Sequence, residues 1–115
     1  MIRRIIFHKH HFLEFYQNLD SEVQEKIEYV FYIIRNSEII PSKFFKSLEG
    51  AEGLYEIRIQ FSNNIFRIFC FFDEDHIVIL LHGLQKKSQK LLKKEIIKAA
   101  YLRQEYYREK GIKKS

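Results

Sequence analysis

The sequence predicts one α+β domain: an N-terminal strand, a two-helix hairpin packed on an antiparallel sheet with a three-stranded meander, and a C-terminal helix. Two patterns predict this order. Apolar residues recur with helical spacing across residues 12–34 and alternate as in strands across residues 54–84. The chain has 115 residues, four glycines, one proline and no low-complexity linker. We therefore treat residues 1–115 as a single domain, with a frayed tail at residues 111–115.

The first half of the chain carries the first strand and the two helices. Residues 1–7 are predicted to form the strand, and an amphipathic helix follows, with apolar residues at Phe12, Phe15, Tyr16 and Leu19. A second helix is predicted to begin at Ser21, because Ser21 and Gln24 have the spacing of a capping box. Its apolar stripe consists of Val23, Ile27, Val30, Phe31 and Ile34. Pro41 cannot continue a helix, so residues 36–46 are predicted to form a loop.

The second half predicts three strands, at residues 54–61, 65–72 and 77–84. The first of them alternates, and its polar face carries Glu56, Arg58 and Gln60. The middle strand is apolar nearly throughout, which is typical of a central strand covered at least partly on both faces. Ser88 is a candidate cap for the final helix, whose apolar stripe is Leu92, Ile96, Ala99, Ala100 and Tyr107.

The lengths of the turns predict which side chains meet across these strands. A two-residue turn at residues 63–64 places Arg58 diagonally from Arg67. A four-residue turn at residues 73–76 pairs Arg67 with His82. Opposite residues share a face and lie within about 5.5 Å of each other. We therefore expect Arg58, Arg67 and His82 on one open face of the sheet, and a slip of one residue in either turn would disperse this cluster.

A lysine-rich segment follows the last strand and enters the final helix. It contains Lys86, Lys87, Lys90, Lys93, Lys94 and Lys98 against a single acid, Glu95. Cations at a helix start are disfavoured by roughly 0.3–1 kcal/mol each, whereas the free N–H groups there bind phosphate well. We expect Lys86, Lys87 and Lys90, together with Gln60 on the sheet, to bind an anionic backbone, and the more distal lysines to be solvated.

The remaining chemically active side chains give narrower expectations. Histidine titrates near neutral pH, and cations beside His82 should lower its pKa, leaving a neutral base or a ready acid. His8, His10, His11 and Glu14 fit no zinc-ligand spacing, so we expect neither a metal nor a cofactor. Cys70 alternates with apolar residues and is predicted to be a core thiol.

Composition limits the class of protein further. The chain has 20 Lys and Arg against 15 acids, a net charge of +5, and one cysteine, which excludes an internal disulfide. No stretch resembles a signal peptide, and no apolar run approaches the roughly 18 residues of a membrane span. We expect a soluble cytoplasmic protein with no membrane partner, and a focused positive charge would favour nucleic acid as the ligand.

Three motifs in order, LYEIRI, FRIFCFF and LLHGLQKKSQK, resemble the RelE/ParE toxin superfamily, and in particular its HigB-like, phage-associated branch. That branch typically has an L-Y-E-L-R strand, a Y-R-I strand and an H-G-F-x-K-K-T segment that leads into a helix. The resemblance covers nearly the whole chain. It implies the toxin of a type II toxin–antitoxin pair, with a neighbouring antitoxin that is often a helix-turn-helix, HigA-like protein.

The resemblance also implies an activity, namely ribosome-dependent cleavage of mRNA without metal, in which the 2′-hydroxyl attacks the adjacent phosphate. By motif, Arg67 matches the arginine that stabilises the transition state, and Arg58 matches a basic residue that holds the scissile phosphate. His82 would be the acid or the base. Glu56 stands where RelE has a lysine, and it would act either as a base or as an orienting partner for Arg58. Lys86 and Lys87 match the basic loop.

The sequence departs from the family pattern in one respect that bears on substrate. RelE has a tyrosine shortly after the basic loop, where this chain has Leu91 and Leu92, so base stacking must come from elsewhere. Two alternatives of other classes stay open. One is a ParE-like protein that binds DNA gyrase without catalysis, and the other is a basic RNA-binding module with a decayed site.

Overall fold

The computed structural model describes residues 1–85 and 88–111. Among these residues the chain forms five strands and three helices. The strands are β1 (Arg4–Phe7), β2 (Phe45–Ser47), β3 (Tyr55–Phe61), β4 (Asn64–Asp73) and β5 (Ile77–Gln85). The helices are α1 (His11–Gln17), α2 (Ser21–Asn36) and α3 (Gln89–Glu109). Of the tail expected at residues 111–115, only Gly111 lies within the described residues.

The strands form one sheet in the order β1-β5-β4-β3-β2. The α+β fold with its three-stranded meander β3-β4-β5 is confirmed. The sheet is mixed rather than antiparallel, because β1 pairs with β5 in parallel. The short strand β2 lies partly in the segment predicted to be a loop, and it extends the sheet beyond β3.

Helices cover both faces of the sheet. The stripe of α2 is fully buried against one face, in a core that includes Ile57, Ile68 and Leu80. On the other face, α3 packs through Ala99, Leu102 and Tyr107 onto Phe69, Phe71, Ile79 and Leu81. Residues of β4 therefore alternate between two cores, which accounts for the nearly continuous apolar run in this strand.

The predicted capping box is wrong. Ser21 is the first residue of α2, and Asp20 precedes it without a capping hydrogen bond from its side chain. Gln24 instead donates its side-chain amide to the carbonyl oxygen of Tyr16, at 2.8 Å. That bond fixes the end of α1 against the start of α2, so the glutamine holds the hairpin together.

The β3–β4 turn differs from its prediction in position, and the β4–β5 turn differs in length. The β3–β4 turn consists of Ser62 and Asn63, since Phe61 pairs with Asn64. Ser62 adopts a φ of 56°, in the left-handed region that two-residue hairpin turns require. The register therefore moves by two residues, which keeps every side chain on its predicted face and places Arg58 directly opposite Arg67.

The β4–β5 turn has three residues, because Asp73 pairs with Ile77. This change of one residue alone would move His82 to the opposite face of the sheet. A β-bulge between Phe69 and Cys70 makes up the missing residue, so that His82 pairs with Phe69 and Leu84 pairs with Arg67. The predicted Arg67–His82 pair is thus wrong, although both residues remain on the face that α3 covers.

Candidate functional site

The two arginines that the sequence singled out meet across β3 and β4. Arg58 and Arg67 are directly opposite each other in the register, and like charges in that position repel. Glu56, two residues before Arg58 on the same face, forms an ion pair with Arg67. The Glu56 carboxylate therefore compensates the charge of Arg67.

The Glu56–Arg67 ion pair is largely buried. The exposed fractions of the side chains are 6% for Glu56 and 11% for Arg67. Arg58 is half-buried, and none of the described residues forms an ion pair with it. The partner of Glu56 is therefore Arg67, which corrects the expectation that Glu56 orients Arg58. The three residues, here called the arginine site, carry one net positive charge.

His82 lies under α3 and not on an open surface. It is 2% exposed, its ring packs edge-on against Phe69 with 5.3 Å between ring centroids, and its Nε2 lies 3.1 Å from the carbonyl oxygen of Glu95. Burial, and secondly the positive charge of Lys98, lower the pKa of His82 to about 4. The imidazole is therefore neutral near pH 7, and its 3.4 Å contact with the Glu95 carboxylate is not an ion pair there.

The expected RNA-binding side chains are distributed as follows. Gln60 and Lys90 are exposed, and Gln60 follows Arg58 on the same face of β3. Lys86 and Lys87 lie outside the described residues. Ser88 immediately precedes α3, as predicted, and its carbonyl oxygen accepts the N–H of Leu92 at 3.0 Å.

Three contacts fasten the far end of α3 to the sheet. Asp73 at the end of β4 accepts hydrogen bonds from Tyr106 Oη at 2.5 Å and Lys110 Nζ at 2.6 Å. His8, just after β1, contacts Glu105 at 2.8 Å. Burial and the bond to Asp73 raise the pKa of Tyr106 to about 12. Tyr106 and Tyr107 are thus packing residues of α3 and do not offer free rings to a ligand.

No three histidine, cysteine or acidic side chains among residues 1–85 and 88–111 gather as a metal ion would require. Cys70 is fully buried in the core, as predicted, and burial raises the pKa of its thiol. None of the described helices is long and apolar enough to cross a membrane.

One cationic feature was not singled out from the sequence. Lys26 of α2 and Lys43 of the following loop lie beside Arg58 and Gln60, around a pocket at the edge of β3. The two lysines are distant from Arg58 in sequence and stand in unremarkable polar positions. No local pattern in the sequence identifies the two lysines.

The fold is similar to that of solved RelE-type proteins. A chain of the archaeal RelE–RelB complex from Pyrococcus horikoshii OT3 matches with a TM-score of 0.54 and 20% identity, over 72% of this chain and 93% of that one. A chain of the RelB–RelE antitoxin–toxin complex from Methanococcus jannaschii matches with a TM-score of 0.55 and 20% identity, over 78% and 96%. At this identity the likeness defines a RelE-like fold.

The family follows from the sequence itself. The model of the family "Phage derived protein Gp49-like (DUF891)" matches residues 14–104, so the chain belongs to the Gp49-like family. The match includes α2, the whole meander and most of α3, and it agrees with the phage-associated resemblance of the three motifs. No curated protein sequence matches the chain significantly.

Proposed function

We propose that this protein is the toxin of a type II toxin–antitoxin system and that it cleaves mRNA on the ribosome. The observation that carries the proposal is the arginine site, in which Arg58 and Arg67 are directly opposite each other on two strands and Glu56 is ion-paired with Arg67. The RelE-like fold and membership of the Gp49-like family support it. A HigB-like subtype is part of the proposal and rests on the three motifs.

The proposed chemistry needs no metal. The RNA 2′-hydroxyl oxygen attacks the adjacent phosphorus, the bond to the 5′-oxygen breaks, a 2′,3′-cyclic phosphate forms, and the leaving 5′-oxygen takes up a proton from water. Glu56 is the candidate base for the 2′-hydroxyl proton, because it is the carboxylate that shares a face of β3 with Arg58 and forms an ion pair with Arg67. Arg67 would stabilise the charge that develops on the phosphate oxygens. Arg58, which has no acidic partner among the described residues, would hold the scissile phosphate.

We propose a positioning role for His82 in place of the acid or base role that the sequence suggested. Its ring is buried beneath α3 and cannot reach a strand of RNA in this conformation. Its Nε2 binds the Glu95 carbonyl, which fixes the first turns of α3. Through them it would hold Lys90 beside the RNA.

An antitoxin partner belongs to the same proposal. The two similar structures are complexes of RelE with RelB, one of them described as an antitoxin–toxin complex. We expect a cognate antitoxin, encoded beside this chain, to bind the protein and block access to the arginine site. A helix-turn-helix, HigA-like antitoxin is the expectation that goes with the HigB-like subtype.

The test compares three substrates and a small set of variants. Purified protein is incubated with mRNA on translating ribosomes, with free mRNA, and with DNA gyrase and plasmid. We expect cuts only in the translated message. Arg58→Ala should slow cleavage by about 10²–10³-fold, the usual effect of removing one group that stabilises transition-state charge. Arg58→Lys should recover part of the rate.

Matched controls make the outcome decisive. Arg4→Ala removes a charge from β1, at the opposite edge of the sheet, and should leave cleavage unchanged. Intact mRNA together with inhibited supercoiling would replace the proposal with gyrase binding. Undiminished cleavage by Arg58→Ala would refute the assignment of the arginine site.

A further inference from the structure

The edge of β3 carries a second cationic feature with its own geometry. β2 pairs with residues 55–57 of β3, and the Arg58 N–H donates to the carbonyl oxygen of Phe44 at 2.9 Å, so the edge is open beyond Arg58. A pocket of about 290 Å³ lies there, lined by Lys26, Lys43, Phe44, Arg58 and Gln60. This volume is at the lower end for ligand sites and suits a ligand of roughly the size of one nucleotide.

The charge of the pocket is uncompensated. Lys26, Lys43 and Arg58 contribute three positive charges, no acidic side chain lines the pocket, and no ion pair within the described residues involves any of them. Cations that line one pocket repel one another unless an anion joins them. A phosphate group would accept hydrogen bonds from all three and relieve the repulsion.

Aromatic rings stand directly beside these cations. Lys43 Nζ is 5.0 Å from the centroid of the Phe44 ring, and Lys26 Nζ is 5.9 Å from that of Tyr29. The two rings meet edge to face at 6.3 Å. Phe44 is buried, whereas Tyr29 is 55% exposed. Tyr29 does not itself line the pocket; it lies beside the pocket, and its ring is open to solvent where Lys26 and Phe44 do not cover it.

Sites for single-stranded nucleic acid have two components, which are cations along the path of the nucleic-acid backbone and exposed aromatic rings on which bases stack. We propose that this pocket binds one nucleotide of single-stranded RNA, with its phosphate against Lys26, Lys43 and Arg58 and its base on the ring of Tyr29. The base contact is the one that the sequence does not supply after the basic loop, where Leu91 and Leu92 stand.

The inference deepens the proposed function and rests on it for the identity of the strand, which is the mRNA beside the scissile phosphate. Arg58 joins the two sites, because it lines the pocket and is also paired with Arg67 across the sheet. A strand held in the pocket would therefore continue directly to the arginine site.

Binding is tested on the free protein, without ribosomes or cleavage. The probe is a 2′-O-methyl RNA tetranucleotide, which lacks the attacking hydroxyl, titrated into ¹⁵N-labelled protein and followed by amide chemical shifts. We expect the shifts to centre on Lys26, Lys43, Arg58 and Gln60. Lys26→Gln/Lys43→Gln should weaken binding about tenfold and reduce the log–log salt slope by up to about 0.7, the contribution of one single-strand phosphate.

The base contact has its own pair of variants. Tyr29→Leu keeps an apolar side chain against Phe44 but removes the ring, and it should weaken binding about tenfold, within the usual range for one base stack. Tyr29→Phe keeps the ring and should bind as the wild type does. The charge control is Arg4→Gln/Arg108→Gln, which removes two exposed arginines outside the pocket and should change affinity less than twofold.

Three results would overturn the inference. One is shifts confined to residues outside the pocket. Another is equal weakening by the Arg4/Arg108 control, which would indicate non-specific charge. The third is inorganic phosphate binding at the pocket as tightly as the tetranucleotide, which would indicate an anion site without base recognition.

A last experiment locates the RNA on the ribosome. It also distinguishes a failure of this inference from a failure of the proposed function. Uncleavable mRNA with 4-thiouridine beside the ribosomal A-site codon should cross-link to the peptide that contains Tyr29, and cross-links from ribosomal RNA alone would overturn the assignment to mRNA. Binding of the tetranucleotide at the pocket without any cleavage of translated mRNA would refute only the proposed function. If Lys26→Gln/Lys43→Gln leaves cleavage unchanged and no binding is found at the pocket, only the inference is refuted.

Discussion

Glu56 and Arg67 make the arginine site a stability element as well as a candidate site. Glu56 is 5% exposed, and a buried carboxylate depends on its partner for compensation. Removing one member of such a pair leaves the other charged and desolvated, whereas removing both is often nearly neutral. Loss of toxicity in a variant of Arg67 alone would therefore not distinguish a loss of catalysis from a loss of stability. Arg58 is the better residue with which to test the chemistry.

We predict that Arg67→Gln lowers the free energy of unfolding by about 3–5 kcal/mol, because Glu56 is left uncompensated. The double variant Glu56→Gln/Arg67→Gln should lose clearly less than the sum of the two single variants. Urea denaturation of the four proteins gives the coupling. Additive losses would mean that the two side chains do not stabilise each other.

His82 gives a prediction about pH. Its pKa is about 4 in the folded protein against an ordinary 6.5, so the unfolded chain binds more protons between these values. The free energy of unfolding should therefore fall as the pH is lowered from 6.5, by up to about 3 kcal/mol at pH 4. His82→Gln should lack this component, so the difference between the two pH curves isolates it. Parallel curves would contradict the buried, neutral imidazole.

At the scale of secondary-structure elements, periodicity predicted the features that depend on residues close together in the sequence. The stripe of α2 and the alternation of β3 follow from residues a few positions apart, and both are confirmed. The bulge after Phe69 and the short turn at residues 74–76 were not predictable in this way. Each changes the register by one residue, and only their sum, which depends on packing under α3, keeps His82 on its face.

Gly83 shows how closely α1 approaches β5. A Cβ atom at this position would lie 2.4 Å from Cδ2 of Phe15. We predict that Gly83→Ala lowers the free energy of unfolding by about 1–3 kcal/mol, the usual cost of overpacking. Thermal or urea denaturation measures it. Adding Phe15→Leu should recover part of the loss, and a single variant as stable as the wild type would mean that α1 moves freely away from β5.

At the scale of the whole molecule, the candidate site was only partly predictable. The common face of Glu56, Arg58 and Arg67 follows from alternation along β3 and from an even change of register. The burial of His82 does not follow from the sequence, because it depends on which face of the sheet α3 packs against. Lys26 and Lys43 reach Arg58 only through the packing of α2 on the sheet, so their proximity is a property of the fold and not of any segment.

The net charge of +5 gives a prediction at this scale. Association with ribosomes should weaken steeply as salt is raised, because phosphate contacts release counterions. Sedimentation of the protein with ribosomes between 50 and 200 mM salt, in wild type and Lys26→Gln/Lys43→Gln, measures the effect, and the variant should show the shallower dependence. Salt-independent association would indicate a contact with ribosomal protein alone.

The parallel pairing of β1 with β5 has a consequence for how the chain is made. Arg4 is held against Ile77, 73 positions later (77 minus 4). Synthesis releases the N-terminus first, and pairings between distant segments close slowly. The first strand therefore remains without its neighbour until Ile77 has left the ribosome. The ribosome that makes this protein must translate all of the intervening codons before its product can complete the sheet.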